Sequence, residues 1–216
     1  AAGRSRVRRR GGGWWGGAWV AGGKGERGVP VHSLGGPGDD ERPMLMRMRL
    51  ADEFGFRIKT FEHAAPAFRV ADELERHGAG ASLFSFLNST QTPYNASMLM
   101  HKGVTVSINS DGEGLARDLN QQAGLLMRFG LTENEALALV TINPAKQLDI
   151  DKRVGSIEVG KDADLVIWTH YPLGIYAVAD TVLIDGQVYF TREYDKAQRA
   201  WLEAERKRLT VSTTRP

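Results

Sequence analysis

Between Val29 and Gly130 the chain repeats one pattern: a short apolar run, a break at a polar or glycine residue, then a stretch with helical spacing. That alternation constrains the fold more than any other feature. Val29-Pro30-Val31-His32 reads as a strand. After a Gly/Pro/Asp loop over 34–40, Pro43 suits a first helical position. Met44, Leu45, Met48, Ala51 and Phe54 then recur at helical spacing until Gly55. FRIKTFEH follows as a strand ending in His63, and a helix from Ala67 to His77 closes at Gly78. AGASLFSF is strand-like, and LNSTQTPYN leads into a helix over Ala96 to His101 that ends at Gly103. VTVSIN alternates cleanly as another strand, and a helix over 114–129 stops at Gly130. Helices between short apolar strands predict βα units and a parallel sheet. A complete eightfold barrel needs about 250 residues. The block over 29–130 is therefore a small open α/β sheet or about half a barrel.

Beyond Leu131 the character changes. Thr132 followed by Glu135 predicts a capping box for a helix over EALALVTI. Asn143-Pro144 predicts a restart, with Asn143 as the cap and Pro144 as the first helical residue. VGSIEVGKDADLVIW reads as two strands around a turn at Gly160-Lys161-Asp162. VADTVLIDGQVYF reads as a hairpin turning at Asp185-Gly186. These segments predict a second, mainly antiparallel unit. TREYDKAQRAWLEAERKRL predicts a charged terminal helix, and VSTTRP a frayed end.

Composition matters mainly through its distribution. The net charge of the 216 residues is +2, yet residues 1–30 carry six Arg and one Lys against one Glu, so the rest is about −4. The basic character belongs to the AAGRSRVRRRGGGWWGGAWVAGG lead-in. That stretch is either an arm for nucleic acid or a disordered lead-in. No basic surface follows it, so we expect no nucleic-acid partner. Its charged run leads into glycines without an apolar core, unlike a signal peptide. No apolar run nears the roughly 18 residues of a membrane span. The absence of cysteine excludes disulfides and thiolate zinc ligands but fixes no compartment, which is cytoplasmic only by default.

In parallel α/β folds ligands sit at the carboxyl ends of strands. His32 ends VPVH, His63 ends RIKTFEH and Asp111 follows VTVSINS, so three candidate ligands share one position in the βα repeat. Imidazole nitrogen and carboxylate oxygen suit zinc or a similar divalent ion. Asp111 could also serve as a general base toward water. Other histidines have plainer readings. His77 and His101 each precede a helix-stopping glycine and read as cations at helix C-termini, and His170 as a solvated turn residue. The methionines read as core filler, and Trp168 as packing between the two units.

TINPAKQLDIDKRVGSIEVGKDADLVIW and VADTVLIDGQVYF resemble the C-terminal segment of the metal-dependent amidohydrolase superfamily. EFGFRIKTFEHAAPAFRVADELERHGAGAS and VSINSDGEGLARDLNQQA are similar to its last barrel strands, and the chain resembles the imidazolonepropionase-like and dihydroorotase-like branches. The resemblance implies the C-terminal half of a TIM-type (β/α)8 barrel over 29–150 and part of a small β-sandwich over 151–195. A C-terminal helix and tail would follow over 196–216, and residues 1–28 resemble nothing in the family. It implies His32 and His63 as the histidines of the fifth and sixth strands, and Asp111 as the aspartate of the eighth, both metal ligand and base. A divalent cofactor, zinc by preference, and a small-molecule substrate follow, with a homo-oligomer possible. The implied reaction is hydrolysis of a non-peptide amide, cyclic amide or amidine C–N bond. No His-x-His occurs in the chain and the first four strands are absent, so the true N-terminus is expected to be missing. The competing readings are an inactive truncated fragment and a non-enzymatic α/β binding domain.

Overall fold

The computed structural model describes residues 29–32, 40–84, 92–110 and 113–213, with side chains for all of these except 29–32, 113, 115 and 211–213. The lead-in over 1–28 and Asp111 lie outside the described residues. β1 (Val29–His32), β2 (Ile58–Glu62), β3 (Gly80–Leu83) and β4 (Val106–Ile108) form a parallel four-stranded sheet in sequence order. Helices α1 (Arg42–Phe54), α2 (Ala71–His77) and α3 (Asn95–His101) connect them, as the βα alternation predicts.

Each crossover helix turns one stripe inward. In α1 the buried residues are Met44, Met48 and Ala51, spaced four and three apart. Phe54 is 71% exposed and Met46 57% exposed, so neither fills the core as its residue type suggested. Gly55, at φ 69°, ends the helix in the left-handed conformation. Phe61, Leu74, Leu83, Leu99 and Val106 are fully buried between helices and sheet. Burying each such side chain contributes about 1.5–3 kcal/mol. The expected helix over 67–77 begins as a 3-10 turn, Ala67–Val70, before α2. His77 is not a C-terminal cation. It is buried, and its Nε2 accepts from the Ile58 N–H at 3.2 Å, which leaves Nδ1 to donate to Asp52 at 3.0 Å. The neutral ring thereby ties α2 to both β2 and α1.

After β4 the expected long helix is broken at Asp118 into α4 (Glu113–Arg117) and α5 (Leu119–Leu126), with a 3-10 turn over Met127–Phe129. In α5, Gly124 allows the backbone of Leu173 to approach: a Cβ there would stand 2.2 Å from the Leu173 carbonyl oxygen. α6 (Glu133–Ala138) opens with the predicted capping box. Glu135 N–H donates to Thr132 Oγ1 at 3.3 Å, and Thr132 N–H donates to Glu135 Oε2 at 2.8 Å. That Thr132 N–H donation foremost, and a second from the Thr132 hydroxyl to Oε2 at 2.8 Å, hold the Glu135 carboxyl below its ordinary value of 4.5. A carboxyl depressed on folding adds stability that is present above its unfolded pKa and lost as pH falls through its folded one. Thr132→Ala is expected to cost about 1 kcal/mol at neutral pH. The deficit should shrink below pH 4.5, and urea melts of both proteins across that range would check it.

α7 (Ile142–Gln147) corrects one expectation. Its N-cap is Thr141, Asn143 is its second residue and Pro144 its third. The Asn143 amide is not spent on a cap: Nδ2 donates to the Val106 carbonyl of β4 at 2.8 Å. Gln147, one turn on, reaches the same sheet. Its Nε2 donates to the carbonyls of Ala81 (3.2 Å) and Thr105 (3.0 Å), and its Oε1 accepts from Ser107 Oγ at 2.6 Å. Gly80 makes room for that amide, since a Cβ there would sit 2.8 Å from Gln147 Nε2.

The second sheet is antiparallel: β5 (Leu165–Trp168), β6 (Ala179–Ile184) and β7 (Gln187–Thr191), in that order. The β6–β7 turn carries Asp185 at φ 50° and Gly186 at φ 74°, as a two-residue hairpin requires. The expected strand over VGSIEV does not form. No strand among the described residues lies beside it, and Ile157 (88% exposed) and Val159 project into solvent. Residues 153–162 make a loop instead, closed where Asp162 N–H donates to the Arg153 carbonyl at 2.8 Å and Arg153 pairs with Asp162 Oδ2 at 2.6 Å. α8 spans Arg192–Thr213, so helix continues past the point where fraying was expected. Among the described residues, no helix is long and apolar enough to cross a membrane.

Candidate metal centre

The register of the parallel sheet decides which residues share its carboxyl edge. His32, the last residue of β1, pairs with Glu62, the last of β2, and His63 follows at once. Leu83 of β3 pairs with Ile108 of β4, so Phe84 and Asn109 leave the sheet side by side. Ser110 follows, and Asp111 is next in sequence. The structure thus brings the backbone of His32 and His63 to one edge, which is also where β4 ends. The side chain of His32 and all of Asp111 lie outside the described residues. Among the described residues, no three His, Asp or Glu side chains cluster closely enough to hold a metal ion.

His63 turns sharply out of the strand. Its φ is 55°, the left-handed region that few residues other than glycine enter, though histidine, asparagine and aspartate are enriched there. Three hydrogen bonds hold the bend. Ala65 N–H donates to the His63 carbonyl (2.8 Å), Ala64 N–H to the Ser82 carbonyl (3.1 Å), and Asn95 Nδ2 to the Ala65 carbonyl (2.9 Å). The His63 ring lies against that of Phe84, with centroids 5.0 Å apart and planes tilted by 50°.

Two residues of this edge escaped the sequence reading. Asn95, 1% exposed, anchors the bend from the first turn of α3. Asn109 has both polar atoms of its amide buried without a hydrogen-bond partner among the described residues. Such a pair is costly to leave unmet. The available signal for Asn109 was its place in Asn-Ser-Asp at the end of a strand. For Asn95 there was none, because its partner lies 30 residues away. The remaining histidines stand apart from this edge. His101 is exposed and 3.5 Å from Glu135, and His170 is exposed beside the Thr169 hydroxyl.

A different concavity, about 660 Å³, lies between α5–α7 and the antiparallel sheet. Leu119, Val140, Pro144, Leu165 and Trp168 line it. Trp168, expected to pack between the two units, is half-buried at the wall of this groove. The lining is largely apolar and does not include His63, so this groove does not extend the histidine edge.

The sequence profile of the Amidohydrolase family matches residues 62–192, more than half of the chain. The chain belongs to the amidohydrolase family. It is 35% identical over 151 residues to amidohydrolase tasK of Hapsidospora irregularis, covering 65% of this chain and 15% of that protein. It is 42% identical over 89 residues to the imidazolonepropionase of Pseudomonas savastanoi pv. phaseolicola, covering 39% of this chain and 22% of that one. The crystal structure of an amidohydrolase from Thermotoga maritima MSB8 superposes with a TM-score of 0.67 at 30% identity, over 76% of this chain and 44% of that one. This amidohydrolase chain thus spans less than a quarter of the two curated relatives and under half of the solved structure. Its mixed α/β fold agrees with that neighbour.

Proposed function

We propose that this chain is the carboxyl-terminal half of a metal-dependent hydrolase that opens a non-peptide amide, cyclic amide or amidine C–N bond in a small molecule. In this reading β1 to β4 are the last strands of a (β/α)8 barrel, and β5 to β7 belong to a small β-sandwich. The observation that carries it is the shared edge: His32 ends β1, His63 follows β2, and Asn109-Ser110 lead from β4 to Asp111. Family membership supports the bond type. The likeness to an enzyme named imidazolonepropionase supports a cyclic substrate.

The donors fit the ion. Two imidazoles and one carboxylate are ligand types suited to zinc, and the stranded Asn109 amide marks the same edge as one suited to polar guests. His32, His63 and Asp111 would hold the metal. When bound, it supplies Lewis acidity toward the substrate and lowers the pKa of water. Asp111 takes the proton of the attacking water on a carboxylate oxygen. As the new C–O bond forms and the C–N bond breaks, Asp111 returns that proton to the leaving nitrogen. Phe84, packed on the His63 ring, limits its rotation.

The test is zinc binding by the purified chain, by metal analysis and calorimetry. His63→Asn removes the imidazole while keeping a residue at ease with positive φ, and Asp111→Asn removes the carboxylate. Wild-type protein is expected to bind zinc, and each variant to bind at least about tenfold more weakly. Unchanged affinity in both variants would sink the site. Zinc binding with no hydrolysis of any cyclic amide would instead select a folded α/β domain that binds without turnover.

A further inference from the structure

α8 runs for 22 residues and leans on the rest of the chain mainly through β6 and β7, close to its own start. Beyond Asp195 nearly every described residue of it is exposed. Yet its sequence is not that of a solvated rod. Tyr194 (64% exposed), Trp201 (60%), Leu202 (57%) and Leu209 (53%) fall on one face. Tyr194 and Trp201 are one heptad apart, as are Leu202 and Leu209. Gln198 belongs to that face too, its Nε2 donating to the Tyr194 hydroxyl at 2.9 Å. A helix with such a stripe usually gains its stability by packing it against something.

We infer that α8 pairs antiparallel with α8 of a second copy of this chain. The register argues for it. Setting Trp201 across from Leu202 of the other copy also sets Tyr194 across from Leu209, because both pairs are centred on the same point of the helix. The same centring sets Asp195, one heptad before Leu202, across from Arg208, one heptad after Trp201. A parallel pair would instead stack Asp195 on Asp195 and Arg208 on Arg208. Opposite charges flanking an apolar seam select register and orientation, and a two-fold axis makes each such contact occur twice. The present ion pairs do not conflict: Asp195–Arg199 (2.7 Å) and Glu205–Arg208 lie within one helix and can be shared across the seam.

Sedimentation equilibrium of the full 216-residue chain over a dilution series tests this. The wild-type mass is expected to approach twice 23.8 kDa at high concentration and to fall on dilution. Trp201→Glu should stay at the single-chain mass with its circular dichroism and melting temperature retained, since Trp201 is exposed. Asp195→Arg and Arg208→Asp should each weaken the dimer by about tenfold. The double variant should recover most of that loss, although repulsion of the introduced arginine by Arg199 and of the introduced aspartate by Glu205 persists, so the recovery comes from across the seam. A wild-type chain that stays single at every concentration would overturn the inference. So would a dimer indifferent to Trp201→Glu, or a double variant no tighter than the singles.

Discussion

Asp111→Asn is expected to lower turnover by about 10²–10⁴ while changing the melting temperature by no more than about 2 °C, the scale of a mutation that breaks no packing. The carboxamide has nearly the shape of the carboxylate but cannot accept a proton at neutral pH, and it is a poorer ligand. The expectation of intact folding rests on what holds β4. Val106 and Ile108 are buried, Asn109 N–H donates to the Leu83 carbonyl at 2.9 Å, and Asn143 grips the Val106 carbonyl. None of these depends on residue 111. The measurement is steady-state hydrolysis of a panel of cyclic amides by zinc-loaded wild type and variant, with thermal melts in parallel. A fall in melting temperature matching the fall in rate would assign Asp111 a structural part. An undiminished rate would remove it from the chemistry.

Gln147→Leu is expected to cost about 2–4 kcal/mol, from the summed penalty of leaving buried polar groups unmet. That corresponds to roughly 4–16 °C of melting temperature for a chain of this size. The leucine has a similar volume but no amide. It would leave the Ser107 hydroxyl without its acceptor and withdraw one donor each from the carbonyls of Ala81 in β3 and Thr105 just before β4. Because the lost bonds tie α7 to β3 and to the start of β4, zinc affinity should weaken along with stability if, as proposed, the residue that follows Asn109-Ser110 in sequence is a ligand. Differential scanning calorimetry and zinc titration check the two halves. A stable variant with loosened zinc binding would mean that Gln147 sets strand position more than strand cohesion.

The parts of this protein that were legible in its sequence are those with local causes. The βα alternation marked β2, β3 and β4 because each is a short apolar run bounded by a glycine or polar stop. The Thr132–Glu135 box and the Asp185-Gly186 turn were legible because their hydrogen bonds and backbone angles are satisfied within a few residues. Asn143 and His77 were misread for the opposite reason. Each has a respectable local role as cap or helix-end cation, and each is drawn off it by a partner far along the chain, Val106 for one and Ile58 with Asp52 for the other. VGSIEV has strand composition, but a strand exists only when another lies beside it. His63 was found by its place after a strand; the left-handed bend and the Asn95 tether that fix its direction were not written in its neighbours.

The closed base of the loop over 153–162 has a consequence for how this chain can vary. Arg153 and Asp162 meet by both backbone and side chain, so helix α7 and strand β5 do not sense the path taken between them. Length there is cheap, since doubling a flexible loop adds only about 0.6 kcal/mol of closure entropy. Insertions, tags or reporter domains placed around Glu158 or Val159 should leave both the strand register and the histidine edge where they are.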